Sequence, residues 1–422
     1  MSSHGRPQLI FATIVVVFLT FSWIPTAHSQ SITPVGSAET FDVATWNIEW
    51  FGNTGSGNGP SDVDQQRENV EKVIRESGID LWALQEISDT RQFQELLDSL
   101  GGPWDGILAS TLVTQRIAFI FNTDVVFLRQ SKHILESFST STNQPLNYFA
   151  GRPPLQIKFD VILPDTTVEL RVITLHMKCC TRQLSDYERR AKASERLKIH
   201  IEFSVLLNEP IAVVLGDFND ELSQSIFPGR PSPYENFLSN PNDYFFSTQT
   251  LDQQNENTFC SNSTCSSGST LDHILITNEL IPYYVDNSTA RMVSVITAFP
   301  DFPGYVNSTS DHMPVYARFI FPTNTGTDRA DEIPTRLRIS NLYPNPTVDQ
   351  LEFTVKTVTF EALLVEVYDV LGRKQSSVHV WPDRLAETRI RVDTRSLPAG
   401  IYFVRVSTGS LSSQAKFVKL AR

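Results

Sequence analysis

Several short apolar runs in this chain begin or end on polar groups able to do acid, base or metal chemistry. Asn47 closes FDVATWN, Glu86 closes DLWALQE, and His176 closes VITLH with Lys178 just beyond. Asp217 and Asn219 close VVLGDFND, Asp272 opens DHILI beside His273, and Asp311 and His312 precede MPVYA. Carboxylates and amides are hard-oxygen ligands of the kind that Mg2+, Mn2+ or Ca2+ takes. A histidine beside a carboxylate has its tautomer and orientation fixed, which suits it to general acid–base work. Metal, carboxylate and histidine together are what phosphoester hydrolysis requires.

Each segment alone carries little. A strand-terminal Asp is more often a turn or helix-cap residue. His273 reads as a structural histidine, and Asp311-His312 as readily as a loop pair. Glu86 is harder to set aside, because an acidic residue closing a buried strand needs a partner. Arg116, opening RIAFIF, and Lys178 are candidate phosphate contacts, and equally solvated charges. The set in this order is what gives the pieces weight.

The elements that would position these groups follow from periodicity. Strands are expected at 41–47, 80–85, 117–121, 155–163, 168–175, 211–215, 271–277 and 313–321, with Pro164-Asp165 turning one pair. Helices are expected at 61–77 and at 185–208, the second opened by a Ser185–Glu188 capping box. The polar stretch 220–270 reads as surface loops with short helices. Strands outnumber helices, and some helices fall between strands, which suits a layered α+β arrangement.

A chain of 422 residues exceeds one ordinary domain. Residues 1–29 read as a secretory signal: Arg6, the apolar run Leu9 to Ile24, Pro25, then Ala27-His28-Ser29. The run is short for a membrane span, so cleavage should leave no stable anchor. Residues 322–337, rich in Pro, Thr, Gly and charge, form a linker candidate. Beyond it, 338–422 breaks into short strands and turns, the pattern of a small all-β sandwich.

Charge is uneven between these parts. Residues 338–422 hold 12 basic and 8 acidic side chains, whereas 30–337 hold 22 basic and 39 acidic ones, a net of −17. A domain so acidic would not hold a polyanion by charge alone. Bound divalent cations, or a local basic strip, would have to supply what is missing. Of the four cysteines, Cys260 and Cys265 flank a loop that could close as a small ring, while Cys179 and Cys180 are adjacent. A cross-link from that pair to the 260–265 loop is an alternative, and the spacing fits no zinc site.

The segments TWNIEWF, ALQE, TLHMK, GDFND, LDHI and SDHMP, in that order, resemble the endonuclease/exonuclease/phosphatase superfamily of DNase I-like fold. The resemblance spans about 41–321, essentially the whole of a catalytic domain set at 38–321, and implies a four-layer α/β sandwich with the site at one edge. It implies metal ligation by Asn47, Glu86, Asp217 and Asp311, with Mg2+, Mn2+ or Ca2+ as cofactor. Catalytic roles fall to His176, Asp217, Asn219, Asp272, Asp311 and His312. Arg116, Lys178 and Asn219 would bind substrate. LYPNPTVDQLEFTV, VYDVLGRK, LPAGIYFVRV and KFVKL resemble the type A sorting domain of the Bacteroidetes type IX secretion system. That implies passage through the secretion machinery to the medium or the cell surface; the expected enzyme is a monomer acting on nucleic acid. Lipid headgroups and small phosphoesters are the alternative substrates, and a non-catalytic adhesin the alternative class. A membrane-acting enzyme needs an exposed apolar insertion, for which Tyr244-Phe245-Phe246 and Phe299 to Tyr305 are the candidates.

Overall fold

The structure is a computed structural model describing Met1 and residues 31–321 and 338–421, apart from 56, 112, 137–144, 164–165, 180–182, 207–209, 300–303, 357–361, 371, 382–387 and 409–410. The rest of the expected signal peptide, the linker candidate 322–337, Pro164-Asp165 and Cys180 lie outside the described residues.

The strand and helix patterns resolve in chain order as β1 (Phe41–Phe51), α1 (Val63–Ser77), β2 (Leu81–Ile87), α2 (Thr90–Leu100), β3 (Trp104–Leu108), β4 (Arg116–Asn122) and β5 (Val126–His133). The chain continues through α3 (Pro145–Tyr148), β6 (Leu155–Leu163), β7 (Thr166–His176), α4 (Leu184–Leu206), β8 (Val213–Asp217) and β9 (Tyr244–Phe246). It closes with β10 (Phe259–Cys260), β11 (Gly268–Ser269), β12 (Asp272–Thr277), β13 (Ala290–Arg291) and β14 (Val315–Phe319).

Caps fix the helix ends. Asp62 accepts from the Gln65 amide to start α1, and Gly78, at φ 76°, ends it in the left-handed conformation that glycine adopts without penalty. Asp89 accepts from Arg91 and Gln92 to start α2. α4 begins at Leu184, ahead of the anticipated Ser185–Glu188 box, with the Gln183 carbonyl accepting from Asp186 and Tyr187. Ser185 therefore lies inside the helix rather than capping it.

Two six-stranded sheets result, in the orders β13-β14-β1-β2-β4-β3 and β5-β6-β7-β8-β12-β9. Apolar residues from both, among them Phe41, Leu81 and Phe119 of one and Phe159, Leu215 and Ile274 of the other, form the central core. The outer face of the first sheet, with Trp46, Trp82 and Leu84, packs on Val70, Ile74 and Phe93 of the first two helices. The outer face of the second, with Ile173, Leu175 and Val214, packs on Ala193, Leu197 and Ile201 of α4. The layers run helix, sheet, sheet, helix, the α+β four-layer sandwich. The stretch 220–270 does contain short helices. It is no mere surface, though, since Tyr234, Phe237, Tyr244 and Phe246 are buried.

Residues Arg338 to Lys419 form seven further strands in a three-stranded and a four-stranded antiparallel sheet. Phe353, Val365, Ile390, Val404 and Phe417 close their shared core. This is the all-β immunoglobulin-like sandwich the short strand spacing calls for.

Candidate active site

Register brings the distant motifs together. His176 pairs with Asp217 across the parallel β7–β8 ladder, and Asp217 pairs with Asp272 across the antiparallel β8–β12 ladder. Three chemical groups from three strands thus stand in one row at the sheet end. Gly216 permits this: a Cβ there would sit 2.1 Å from the Leu175 carbonyl oxygen, so any side chain would push β7 from β8.

The facing sheet supplies the other half. Asn47 donates through Nδ2 to Asp217 Oδ2 at 2.9 Å, joining β1 to β8. Beyond Asn47 the chain leaves the β1–β2 register, with Glu49 at φ 38° and Trp50 at φ 47°. Glu86 sits at φ 67° and Asn219 at φ 55°. Left-handed conformations in non-glycine residues cost about 1–3 kcal/mol each and persist where surrounding contacts impose them. Here they turn Glu49, Glu86 and Asn219 onto one open cleft of about 590 Å³, which Asp217, Asp311, His312, Lys178 and Arg152 also line.

The Asp311-His312 turn is clamped from several sides. Ser310 Oγ donates to the Asn47 carbonyl and accepts from the His312 amide. Trp46 Nε1 and the Tyr305 hydroxyl both donate to the His312 carbonyl. The Asp311 amide donates to Glu49 Oε2 at 3.0 Å. From the other side, the Cys260 amide donates to the Asp311 carbonyl at 2.6 Å, and the Phe259 ring lies 5.2 Å from the His312 imidazole. Cys260 is disulfide-bonded to Cys265, so the 260–265 loop closes on itself and offers no thiol to Cys179, which is also disulfide-bonded.

Burial and crowding set the charges. Glu49 is pushed up to about 8 by burial, then by the Asp311 and Glu86 carboxylates. Asp217 is pushed up to about 7, chiefly by burial, and Asp311 to about 6 for the same reason. Burial alone would lower His312, but the charge and hydrogen bond of Asp272, with Asp217 and Asp311 nearby, hold it well above the ordinary histidine value. His312 Nδ1 donates to Asp272 Oδ2 at 2.8 Å, and Thr258 Oγ1 fixes that same carboxylate oxygen at 2.7 Å. This leaves Nε2 for the cleft. His176 is the opposite case, held well below its ordinary value by burial, then by Arg152 and His312. Its Nε2 lies 3.5 Å from Asp217 and 3.7 Å from Glu86, and neither ring nitrogen has a hydrogen-bond partner. A buried polar group without a protein partner calls for an explanation, and an ion, water or ligand in the cleft beside it is one.

Of the sequence-derived set, Glu86, Asp217, Asn219, Asp311 and His312 line this cleft, and Asn47, His176 and Asp272 stand behind it against Asp217 and His312. Arg116 is not in its lining; its guanidinium donates to the Ser88 carbonyl. Lys178 lines the cleft, with Nζ on the Cys179 carbonyl. His273 is the structural histidine it was read as, held between Thr248 and the Asp220 carbonyl. Two contributors went unread. Glu49 follows Asn47 by two residues, but its left-handed backbone breaks the two-residue strand period that would have placed both on one face. Arg152 sits in a loop without periodicity. It braces the strand end by donating to the His176 and Met177 carbonyls and to Gln115.

Which of these groups could hold a cation follows from their bonding. Asp217, Asp272 and His312 place ligand atoms within 4.8 Å of one another. The 2.8 Å hydrogen bond between His312 and Asp272 already occupies two of those atoms. Glu49 and Glu86, each with one carboxylate oxygen on a backbone amide, and Asp311 place further carboxylates at the cleft, and with Asn47 and Asp217 they are candidate ligands for a cation beside that group.

No curated protein matches the chain. Among solved structures it is similar to an endonuclease/exonuclease/phosphatase from Bacteroides vulgatus, at 17% identity over 67% of this chain and 99% of that one, with a TM-score of 0.47. It is also similar to the human Nocturnin catalytic domain with bound sulfate anion (17% identity, 67% and 95% covered, TM-score 0.45). A third is D. rerio TDP2 complexed with single strand DNA product (13% identity, 67% and 99% covered, TM-score 0.47). The model of the secretion system C-terminal sorting domain matches residues 341–420, the β-sandwich. That domain belongs to the type IX secretion system and implies export to the surface or the medium. Among the described residues, no helix is long and apolar enough to cross a membrane. The model of the Endonuclease/Exonuclease/phosphatase family matches residues 44–312. Both six-stranded sheets, save the last strand and the first three residues of β1, and the polar cleft from Asn47 to His312 fall inside that span, and the chain belongs to the endonuclease/exonuclease/phosphatase family.

Proposed function

We propose that this protein is a secreted, divalent-metal-dependent phosphodiesterase that hydrolyses nucleic acid by attack of water on a phosphodiester. The observation that carries the reading is one cleft holding crowded, part-neutralised carboxylates beside a histidine held protonated. Glu49, Glu86, Asp217 and Asp311 repel one another there, and a cation relieves that repulsion. A bound Mg2+, Mn2+ or Ca2+ would supply charge shielding for the phosphate and its leaving oxygen.

The remaining roles belong to the protein's own side chains. Asp217, placed by the Asn47 amide, accepts the proton of the attacking water. His312, kept cationic by Asp272, donates through Nε2 to a phosphoryl oxygen as negative charge builds there. Asn219 lines the phosphate seat, and the Nε2 edge of the neutral His176 lies beside it, 3.5 Å from Asp217, where a single ring N–H could donate. Asp311 serves both the cation and the approach to His312.

The candidate membrane-inserting segments argue for nucleic acid over lipid. Residues 300–303 lie outside the described residues; of the rest, Tyr244, Phe246 and Tyr305 are buried, and the part-buried Phe299 stacks on Tyr305. In the domain reading, residues 1–29 direct export and are removed. Residues 38–321 act as the enzyme, 322–337 link, and 338–422 engage the secretion machinery. The test is a substrate panel: single- and double-stranded DNA, RNA, and sphingomyelin vesicles, each with Mg2+ and with EDTA. Hydrolysis confined to nucleic acid and lost in EDTA supports the reading. Metal-dependent release of phosphocholine without nucleic-acid cleavage contradicts it.

A further inference from the structure

The charges lining the cleft come from two sets of segments. The carboxylates belong to the ends of β1, β2 and β8 and to the Asp311 turn. The cations Arg152, Lys178 and Arg189 belong to the segments 147–152, 176–179 and the first turns of α4. These segments are bonded to one another. Arg189 donates through Nε and Nη2 to the Asn147 carbonyl, Arg152 to the Met177 carbonyl, and Arg190 to the Lys178 carbonyl. They form one continuous wall.

The three cations on that wall are not equivalent. Arg152 is buried and committed to the His176, Met177 and Gln115 oxygens, so it shapes the strand end. Arg190, behind the wall, is fully buried and neutralised by Asp220 at 2.9 Å. Lys178 and Arg189 are only part-buried, and each head group is steadied on one side by a backbone carbonyl. The Asp186 carboxylate lies 3.8 Å from the Lys178 ammonium, while Arg189, Arg152 and Arg190 all repel it. A partly desolvated group of like charges is stabilised by an anion placed among them. In a segment whose net charge is −17, this wall gathers cations on one side of the cleft, as a local basic strip for a polyanion would. The cleft, at about 590 Å³, has room for more than one phosphate.

We propose that Lys178 and Arg189 form a second phosphate subsite, which takes the phosphate next to the scissile one in a nucleic-acid strand. The proposal rests on the phosphodiesterase reading above and adds to it. The preferred substrate carries neighbouring phosphates, and an isolated diester leaves this wall unfilled.

The test compares two substrates with the full-length protein and Mg2+. One is a short single-stranded DNA; the other is bis(4-nitrophenyl) phosphate, which has a single phosphate. Arg189→Ala and Lys178→Ala should each lower kcat/KM on DNA about tenfold more than on the one-phosphate diester, mainly through KM. The slope of log KM against log salt should fall by about 0.7 for each phosphate that is no longer neutralised by a side chain. Arg189→Lys, which keeps the charge, should recover most of the DNA preference. Equal losses on both substrates, or an unchanged salt slope, overturn the subsite. So does a wild-type protein that hydrolyses the one-phosphate diester but not DNA. If wild-type protein hydrolyses neither, the phosphodiesterase reading itself has failed, and the subsite falls with it.

Discussion

His312 and Asp272 form a buried pair, with Nδ1 donating to the carboxylate at 2.8 Å. The pair joins the last functional turn to β12 and leaves only Nε2 facing the cleft. Asp272 both orients the ring and holds its proton.

Asp272→Asn should therefore cost turnover without unfolding the protein. General acid–base groups contribute about 10²–10⁴-fold, and a loss of kcat in that range is expected. Removing the carboxylate lowers the His312 pKa, so the protonated ring is lost at a lower pH. The alkaline limb of the kcat profile should move down accordingly. A variant with wild-type turnover and an unmoved profile would show that the pair is structural only.

Gln66 of α1 ties the two sides of the site together. Its Nε2 donates to the Ile48, Glu49 and Thr309 carbonyls, and its Oε1 accepts from the Gly52 amide. Gln66→Leu leaves those carbonyls without a donor, at a stability cost of about 1–3 kcal/mol. As a positioning residue it should also raise the Mg2+ concentration for half-maximal activity about tenfold, because Glu49 and Asp311 lose their spacing. A lower melting temperature with an unchanged Mg2+ requirement would confine Gln66 to holding the fold.

Asp80, at the strand end away from the site, is buried and pushed up to about 7, chiefly by burial, although it accepts from the Asp42 amide. Its folded value lies above its unfolded one, so the folded state binds the proton more tightly. Stability is then highest below about pH 4 for this group and falls as pH rises through 7. Asp80→Asn should remove that decline and raise stability at pH 8, by at most about 4 kcal/mol. Denaturant melts at pH 5 and pH 8 check this; a variant with the same pH dependence as wild type would contradict it.

Much of this was legible because strands announce their ends. The runs before Glu86, His176 and Asp217 are apolar enough to be buried, so a polar residue closing each had to find a partner at the sheet end. The order of motifs then identified the family. Which residues face each other was not legible, because register is a property of the sheet. Nothing in VITLH or GDFND says that His176 lies beside Asp217. Glu49 escaped notice because the left-handed turn that aims it into the cleft interrupts the pattern of its strand. Gln66 and Arg152 escaped because polar residues in a helix or a loop usually point to water. Only the packed structure shows Gln66 and Arg152 buried on backbone carbonyls. Arg116, read equally as a phosphate contact or a solvated charge, lies outside the cleft lining with one guanidinium donor on the Ser88 carbonyl, a placement that a strand-start position does not announce.

The most direct test of the central claim is nicking of supercoiled plasmid by the purified protein with Mg2+, with EDTA, and with Asp217→Ala in place of the wild-type chain. Nicking that needs the metal and disappears in a folded Asp217→Ala variant is the predicted result. Nicking that survives EDTA, or that the variant retains in full, would contradict it.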